Sequence, residues 1–348
     1  MPTFCRHNRF IERCPICSKT LPANQPASGA GSSRAKASTR ARSGGERPAR
    51  RRTHAEGLRV RREGRAEDDG YRSALVPGLR ASADAERLTR ELAFSSGRLL
   101  ALTADPPDLY RDMRTLAATD LERATWACFL TAYLCPLEGV DPFAGIRTAL
   151  AHYPELPDLD GVALGPRTSH VPARGLDTLI AYRQWVARAG GAAVPAQPGH
   201  PGQPARGAGS QAVAFTGDPS WSPERRFERV FERLALPGFT RAGRYELLVL
   251  LGRLALYPLT PDSLHLASTG GPSAEDPTTL AAKRVFGIGD AILLERRAAA
   301  LAQAASVPVE ALDLAFANWI APQPATLGFP PETHDAGAFA RVGAALGL

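Results

Sequence analysis

The chain has 348 residues, 44% of them hydrophobic, which is enough for one large domain or two small ones with a real core. No uninterrupted apolar run approaches ~18 residues, so no membrane span is expected. The N-terminus, MPTFCRHNRF, lacks the apolar core of a secretory signal, and a cytoplasmic protein is the expectation.

The net charge of +7 is unevenly spread. Residues 34–65 carry twelve Arg/Lys against three Glu, a net of +9, and residues 1–33 add +3. Residues 66–348 therefore sum to −5, and the basicity belongs to an N-terminal arm. Such an Arg-, Ala- and Gly-rich stretch cannot bury enough apolar surface to fold. It can neutralise phosphates and so add sequence-independent affinity for nucleic acid. The plainer reading is a solvated linker of the kind a GC-rich genome accumulates.

In chain order, FCRHNRFIERCPICSK places Cys5, His7, Cys14 and Cys17 as C-x-H-x6-C-x2-C. Three thiolates and one imidazole suit a closed tetrahedral zinc site, with no position left for chemistry. A module of some 20 residues needs that staple to fold. The alternative is a reduced or redox-active C-x-x-C. An odd total of five cysteines argues against a disulfide framework. Cys128 and Cys135, seven apart on an apolar helix, read as core thiols.

The expected order is a zinc module at 1–20, a disordered Arg-rich linker at 21–72, a helical domain at 73–325 and a tail at 326–348. Helical spacing marks 84–101, 120–135 (with Asp120 as N-cap), a short run from Pro142 to His152, and 175–189. A Gly/Pro-rich insertion follows at 190–212. Helices resume at 223–235, 241–256, 278–286, 289–305 and 308–319, with GIGD at 287–290 read as a helix stop and start. Strict alternation is missing, so the fold class is all-α. Trp126, Trp185 and Trp319 fall on apolar helix faces and are expected in the core.

The stretch LALPGFTRAGRYELLVLLG, 234–252, sets Pro237-Gly238 between two amphipathic runs. It resembles the L-P-G-x-G-x-x-T-A hairpin of the helix-hairpin-helix DNA glycosylases. That resemblance implies backbone N–H groups bound to a DNA phosphate, with Gly238 in the turn and Arg241 and Arg244 as phosphate partners. Thr240 stands where a second Gly is usual, and Ala242 where lyase enzymes carry Lys. The family places a catalytic Asp some eighteen to twenty residues beyond the hairpin, and GRLALYPLTPDSLHLAS supplies Asp262 there. Since Asp262 follows Pro261, it reads equally as a helix N-cap. The segments WACFLTAYLCPLEGVDPFAGI and ALDLAFANWI look like the family's early core helix and closing helix, so the likeness runs over about 85–320.

A closer likeness appears in TWACFLTAYLCPLEGVDPF, GPRTSH with YRQWV, FTGDPSWSPERRFERVFERLALPGF and RYELLVLLGRLALYPLTPDSLHL. These are similar to the alpha-glutamyl/putrescinyl thymine pyrophosphorylases, clade 3, glycosylase-fold proteins of DNA hypermodification. The resemblance implies that a pyrophosphorylated hydroxymethyluracil in DNA loses pyrophosphate and receives an amino acid or polyamine. The base would be flipped out of the stack. Arg225 and Arg226 would face the leaving oxygens. Asp262, with His265 three residues on, would take the amine proton. Phe227 or Trp221 would stack on the base. For each a plainer reading exists: a solvated first turn for the two arginines, and surface or hairpin packing for His265. No Asp/Glu cluster demands magnesium, although pyrophosphate could bring its own. The other expectations are a monomer, DNA as partner and association with the nucleoid. The competing functions are a hydrolytic DNA glycosylase on the same fold and a non-enzymatic zinc-containing nucleic-acid binder.

Overall fold

Six helix starts share one device. Asp120, Ser222, Thr240, Asp276, Asp290 and Asp335 each accept a hydrogen bond from the backbone N–H three residues on. Each satisfies an N–H that the helix leaves without a partner, for about 1 kcal/mol apiece. The protein is described by a computed structural model at residues 66–189, 211–266 and 276–348. The expected zinc module, nearly all of the basic linker and most of the Gly/Pro insertion lie outside the described residues.

Among the described residues the secondary structure is helical, with no strand. The helices are α1 (Ser82–Ala104), α2 (Asp108–Ala117), α3 (Leu121–Leu134), α4 (Ala144–Leu150), α5 (Asp177–Ala189) and α6 (Gln211–Thr216). There follow α7 (Pro223–Arg233), α8 (Arg241–Arg253), α9 (Pro277–Phe286), α10 (Ala291–Ala305), α11 (Ala311–Ile320) and α12 (Ala336–Leu346). Gly287, in the left-handed region at φ +65°, ends α9, and Asp290 caps α10, so GIGD is a stop and a start.

Three helices depart from the sequence expectation. Helix α2 fills a stretch that carries no expected element; it buries only Leu109, Tyr110 and Met113. Helix α6 begins at Gln211, inside the expected insertion. Residues 326–348, expected as a tail, carry α12, which buries Ala338, Val342 and Leu346.

The helices pack in two groups joined through α8. One comprises α1, α9, α10, α11 and α12, with α1 lying along α11 and α12. The other is built around α3, which meets α2, α4, α6 and α8. Helix α3 is buried without interruption from Ala124 to Leu134, as expected of a central helix rather than a surface one. Helix α8 buries five consecutive aliphatics, Leu247 to Leu251, each worth roughly 1.5–3 kcal/mol. Trp126, Trp185 and Trp319 are core residues, at 2%, 7% and 4% exposure. Cys128 and Cys135 are buried thiols, and burial pushes the Cys135 thiol up to about 12.

Candidate functional site

Helix α7 is strongly amphipathic: Phe227, Val230, Phe231 and Leu234 fall on one face and are all buried. The chain then turns, with Phe239 N–H donating to Leu236 O at 3.1 Å. Gly238 sits at φ +78°, where L side chains are strained, and a Cβ there would lie 2.4 Å from Thr178 Oγ1. That hydroxyl donates to Pro237 O at 2.8 Å, so α5 holds the turn directly. Thr240 has extended backbone, φ −65° and ψ 161°, and needs no glycine freedom. Its hydroxyl accepts from Gly243 N–H at 3.0 Å and lies 2.7 Å from Ser169 Oγ. Thr240→Ala should therefore cost about 1 kcal/mol, read as a lower denaturation midpoint, with Thr240→Ser restoring it.

The segment after α8 carries Asp262, and the structure pins it from three helices. Thr260 N–H donates to Pro223 O at 3.3 Å, and Arg226 Nη1 to Pro258 O at 3.0 Å, both from the start of α7. From α8, Tyr245 Oη donates to Ser263 O at 3.0 Å and Arg241 Nη1 to Leu264 O at 2.9 Å. From α10, the Glu295 carboxylate accepts from Leu264 N–H at 2.9 Å and Leu266 N–H at 2.5 Å. Asp262 itself is exposed. It lies in a bend and caps no helix among the described residues, so the N-cap expectation does not hold.

His265 packs beneath this segment. Its ring stacks on Phe231, 4.3 Å between centroids, and lies 5.7 Å from Phe227. The hairpin-packing reading thus describes its position. Burial lowers its pKa to about 4; Asp262 and Glu232 oppose the shift, while Arg241 and Arg244 add to it. The unfolded chain takes up this proton below about pH 6.5, while the folded protein refuses it until about pH 4. The unfolded state therefore binds more protons between those limits, and stability falls as pH drops from about 6.5 to about 4. His265→Asn, which tolerates the left-handed backbone at φ +53°, should flatten the stability–pH slope there by up to one proton equivalent. Denaturant melts at half-unit pH steps would measure it.

The remaining expected site residues separate into exposed and buried ones. Arg225 is exposed on the first turn of α7. Arg226 is 4% exposed and donates to Thr216 O, Trp221 O and Pro258 O; it ties α6, α7 and the Asp262 segment together instead of facing a leaving group. Phe227 is fully buried against Tyr245 and His265 and offers no face to an extruded base. Trp221 is half-buried, with Arg233 stacked over it at 5.3 Å. Arg244 is buried, lies 4.4 Å over the Phe231 ring, and donates to Phe231 O near the end of α7. A cation there complements the helix C-terminus. Arg241 is also buried, and its guanidinium is taken up by Asp276 at 3.0 Å and Asp313 at 2.5 Å. Both guanidiniums, expected on phosphates, are engaged by groups of the protein in this structure.

Sequence reasoning missed this charged network. Asp313 on α11 accepts from Arg241, from Arg167 at 2.7 Å and from Thr278 at 3.2 Å. Burial alone would raise its carboxyl, but Arg241 and Arg167 outweigh it and hold it at about 2. Asp276 meanwhile also caps α9 through Thr279 N–H at 2.8 Å. Arg98 pairs with Glu246 nearby. A small cavity of about 10 Å³ is lined by Arg167, Cys135, Ala242, Gly243 and Glu246, among others, room for about one water. The available signal was a lone carboxylate in the otherwise apolar ALDLAFANWI. An open cleft of about 550 Å³ lies at the other end of α8, between Arg114, Arg253, Glu310, Thr260 and Pro261. Cys5, His7, Cys14 and Cys17 are outside the described residues, and among the described ones no His, Cys, Asp or Glu grouping could hold a metal.

The start of α7, the turn into α8 and the segment 258–266 therefore form one neighbourhood. Residues 211–326 match the family model of the alpha-glutamyl/putrescinyl thymine pyrophosphorylases, clade 3. The matched stretch runs from the start of α6 to beyond α11 and includes Trp221, Arg225, the 234–240 turn, Asp262, His265 and Asp313. Arg167, which meets Asp313, lies before it. No curated protein and no solved structure matches the chain.

Proposed function

We propose that the chain modifies thymine-derived bases in DNA, replacing the pyrophosphate of a pyrophosphorylated hydroxymethyluracil with an amino acid or polyamine. The single observation that carries this reading is the family match over 211–326, which includes Asp262 and the segment that holds it. The amine nitrogen attacks the exocyclic methylene carbon. The carbon–oxygen bond breaks, and its electron pair leaves with pyrophosphate. The surplus amine proton passes to the Asp262 carboxylate, which is exposed on a segment fixed by α7, α8 and α10.

With Arg226 engaged by carbonyls, Arg225 is the cation left on that turn for the leaving oxygens. Trp221 is the aromatic residue with exposed surface for the extruded base. The cleft that ends at Pro261, one residue before Asp262, has the size to receive the amine donor. Any magnesium would come bound to the pyrophosphate and would help neutralise the leaving oxygens. Cys5, His7, Cys14 and Cys17 would hold a structural zinc, as three thiolates and an imidazole suit, and the arm at 34–65 would add phosphate affinity.

Pyrophosphate release tests the reading. It should require both the pyrophosphorylated base and an amine. Release of free base and appearance of abasic sites, independent of amine, would assign the protein to the glycosylases instead. Ala242, where a lyase lysine would stand, leads us to expect no strand cleavage in either case.

A further inference from the structure

The turn between α9 and α10 carries side chains that the proposed chemistry does not use. Lys283 and Arg284 stand in the last turn of α9, and Arg296 on the second turn of α10. Among the described residues none of the three forms an ion pair or a side-chain hydrogen bond. Between them, Ile292 and Leu293 are 64% and 46% exposed, two adjacent large apolar side chains left in water. The turn is open at Gly289, where nothing lies within 4 Å of a Cβ position, while at Gly287 the backbone of Gly78 packs against it. Residues 283–297 carry Lys283, Arg284, Arg296 and Arg297 against Asp290 and Glu295, a net of +2, although residues 66–348 sum to −5. The Arg-rich arm, itself at +9 over 34–65, would be repelled by such a face.

This face adjoins the Asp262 segment. Glu295 lies between Leu293 and Arg296 in sequence, and its carboxylate holds Leu264 and Leu266 N–H. Ile292 and Arg296, spaced three before and one after Glu295, border the same stretch of α10. Arg296 therefore follows directly on the residue by which α10 holds the Asp262 segment.

We infer that the α9–α10 face is a second DNA-backbone contact, with Lys283, Arg284 and Arg296 on phosphates flanking the target and Ile292 and Leu293 against deoxyribose. It rests on the proposed function only in taking DNA as partner. Opposite charge supplies the attraction, and each neutralised phosphate releases counterions. The apolar pair adds contact without counterion release. The two kinds of residue should therefore differ in the salt dependence of what they contribute.

The test uses the full chain and an unmodified DNA duplex, with affinity read by fluorescence anisotropy from 50 to 200 mM salt. The triple variant Lys283→Gln, Arg284→Gln, Arg296→Gln should bind about 10-fold or more weakly and flatten the log–log salt slope by roughly 2–3. A control with the same charge change on exposed sites elsewhere, Arg90→Gln, Arg123→Gln, Arg188→Gln, should lose far less of both. Ile292→Ser with Leu293→Ser should weaken binding several-fold and leave the slope unchanged. Thermal melting of every variant should match the parent. Equal losses in the triple variant and the control would overturn the inference. So would a change in sedimentation of the Ile292/Leu293 variant, which would make the face an interface between copies. Neither outcome depends on whether transfer occurs, since no donor or modified base is present.

Discussion

Arg241→Met should lower folding stability by about 3–5 kcal/mol, the largest loss expected of any single substitution in the site. Methionine keeps much of the volume but strips the positive charge from between Asp313, 5% exposed at its side chain, and Asp276, 9% exposed. Both carboxylates would be left in low dielectric, one with Arg167 and the Thr278 hydroxyl and the other with its cap bonds. Leu264 O would also lose its donor, loosening the segment that carries Asp262. A drop of roughly 10 °C in melting temperature follows for a domain of this size. Arg241→Met with Asp276→Asn should recover part of the loss, because Asn can still cap α9 and the carboxylate left unpaired is gone, while Asp313 keeps Arg167. A single-variant change within ~1 kcal/mol would mean that the pair is solvated and does not organise the site.

Asp262→Asn should cut product formation about 10²–10⁴-fold while leaving melting temperature and duplex affinity unchanged. The substitution keeps the shape and removes the proton acceptor. The carboxylate is exposed and accepts no hydrogen bond among the described residues, so no fold energy is expected to depend on it. Single-turnover product formation, measured beside a melting curve, separates the two effects. Loss of activity together with stability would assign Asp262 a structural role, and retained activity would move the base elsewhere. Arg225→Gln should act more weakly and chiefly on departure of pyrophosphate, because one exposed cation in water stabilises charge less than a buried pair.

The 3.6-residue apolar period made the long helices legible, and in three of them it is joined to a capping residue: Asp120 before α3, Ser222 before α7, Asp290 before α10. Helix α1, the longest of the described helices, has no side-chain cap and shows by its period alone. It concealed α2 and α12 for opposite reasons. Helix α2 follows Pro106-Pro107 and has only three buried side chains among charged neighbours. Helix α12, AGAFARVGAAL, is built of small residues whose period carries little contrast.

The site was legible as a neighbourhood but not residue by residue. Trp221, Arg225 and Asp262 keep exposed surface there. Arg226, Arg241 and Arg244 look identical to a phosphate clamp in sequence, yet their partners are carbonyls, carboxylates and an aromatic ring brought in by α6, α9 and α11 and by α7 itself. A guanidinium's partner is set by tertiary packing, and nothing in the local sequence encodes it. Asp313 is the reverse case: a carboxylate in a helix apolar enough to be read as pure core, whose burial depends on two arginines distant in the chain.

The central claim is that an amine becomes bonded to a base that stays attached to its sugar. The direct measurement is mass spectrometry of nucleosides from pyrophosphorylated hydroxymethyluracil DNA treated with the full chain and a ¹⁵N-labelled amine. The account predicts an intact nucleoside that carries the label in place of pyrophosphate, appearing with the wild-type chain and not with Asp262→Asn. Unlabelled nucleosides accompanied by free base and abasic sites would contradict it.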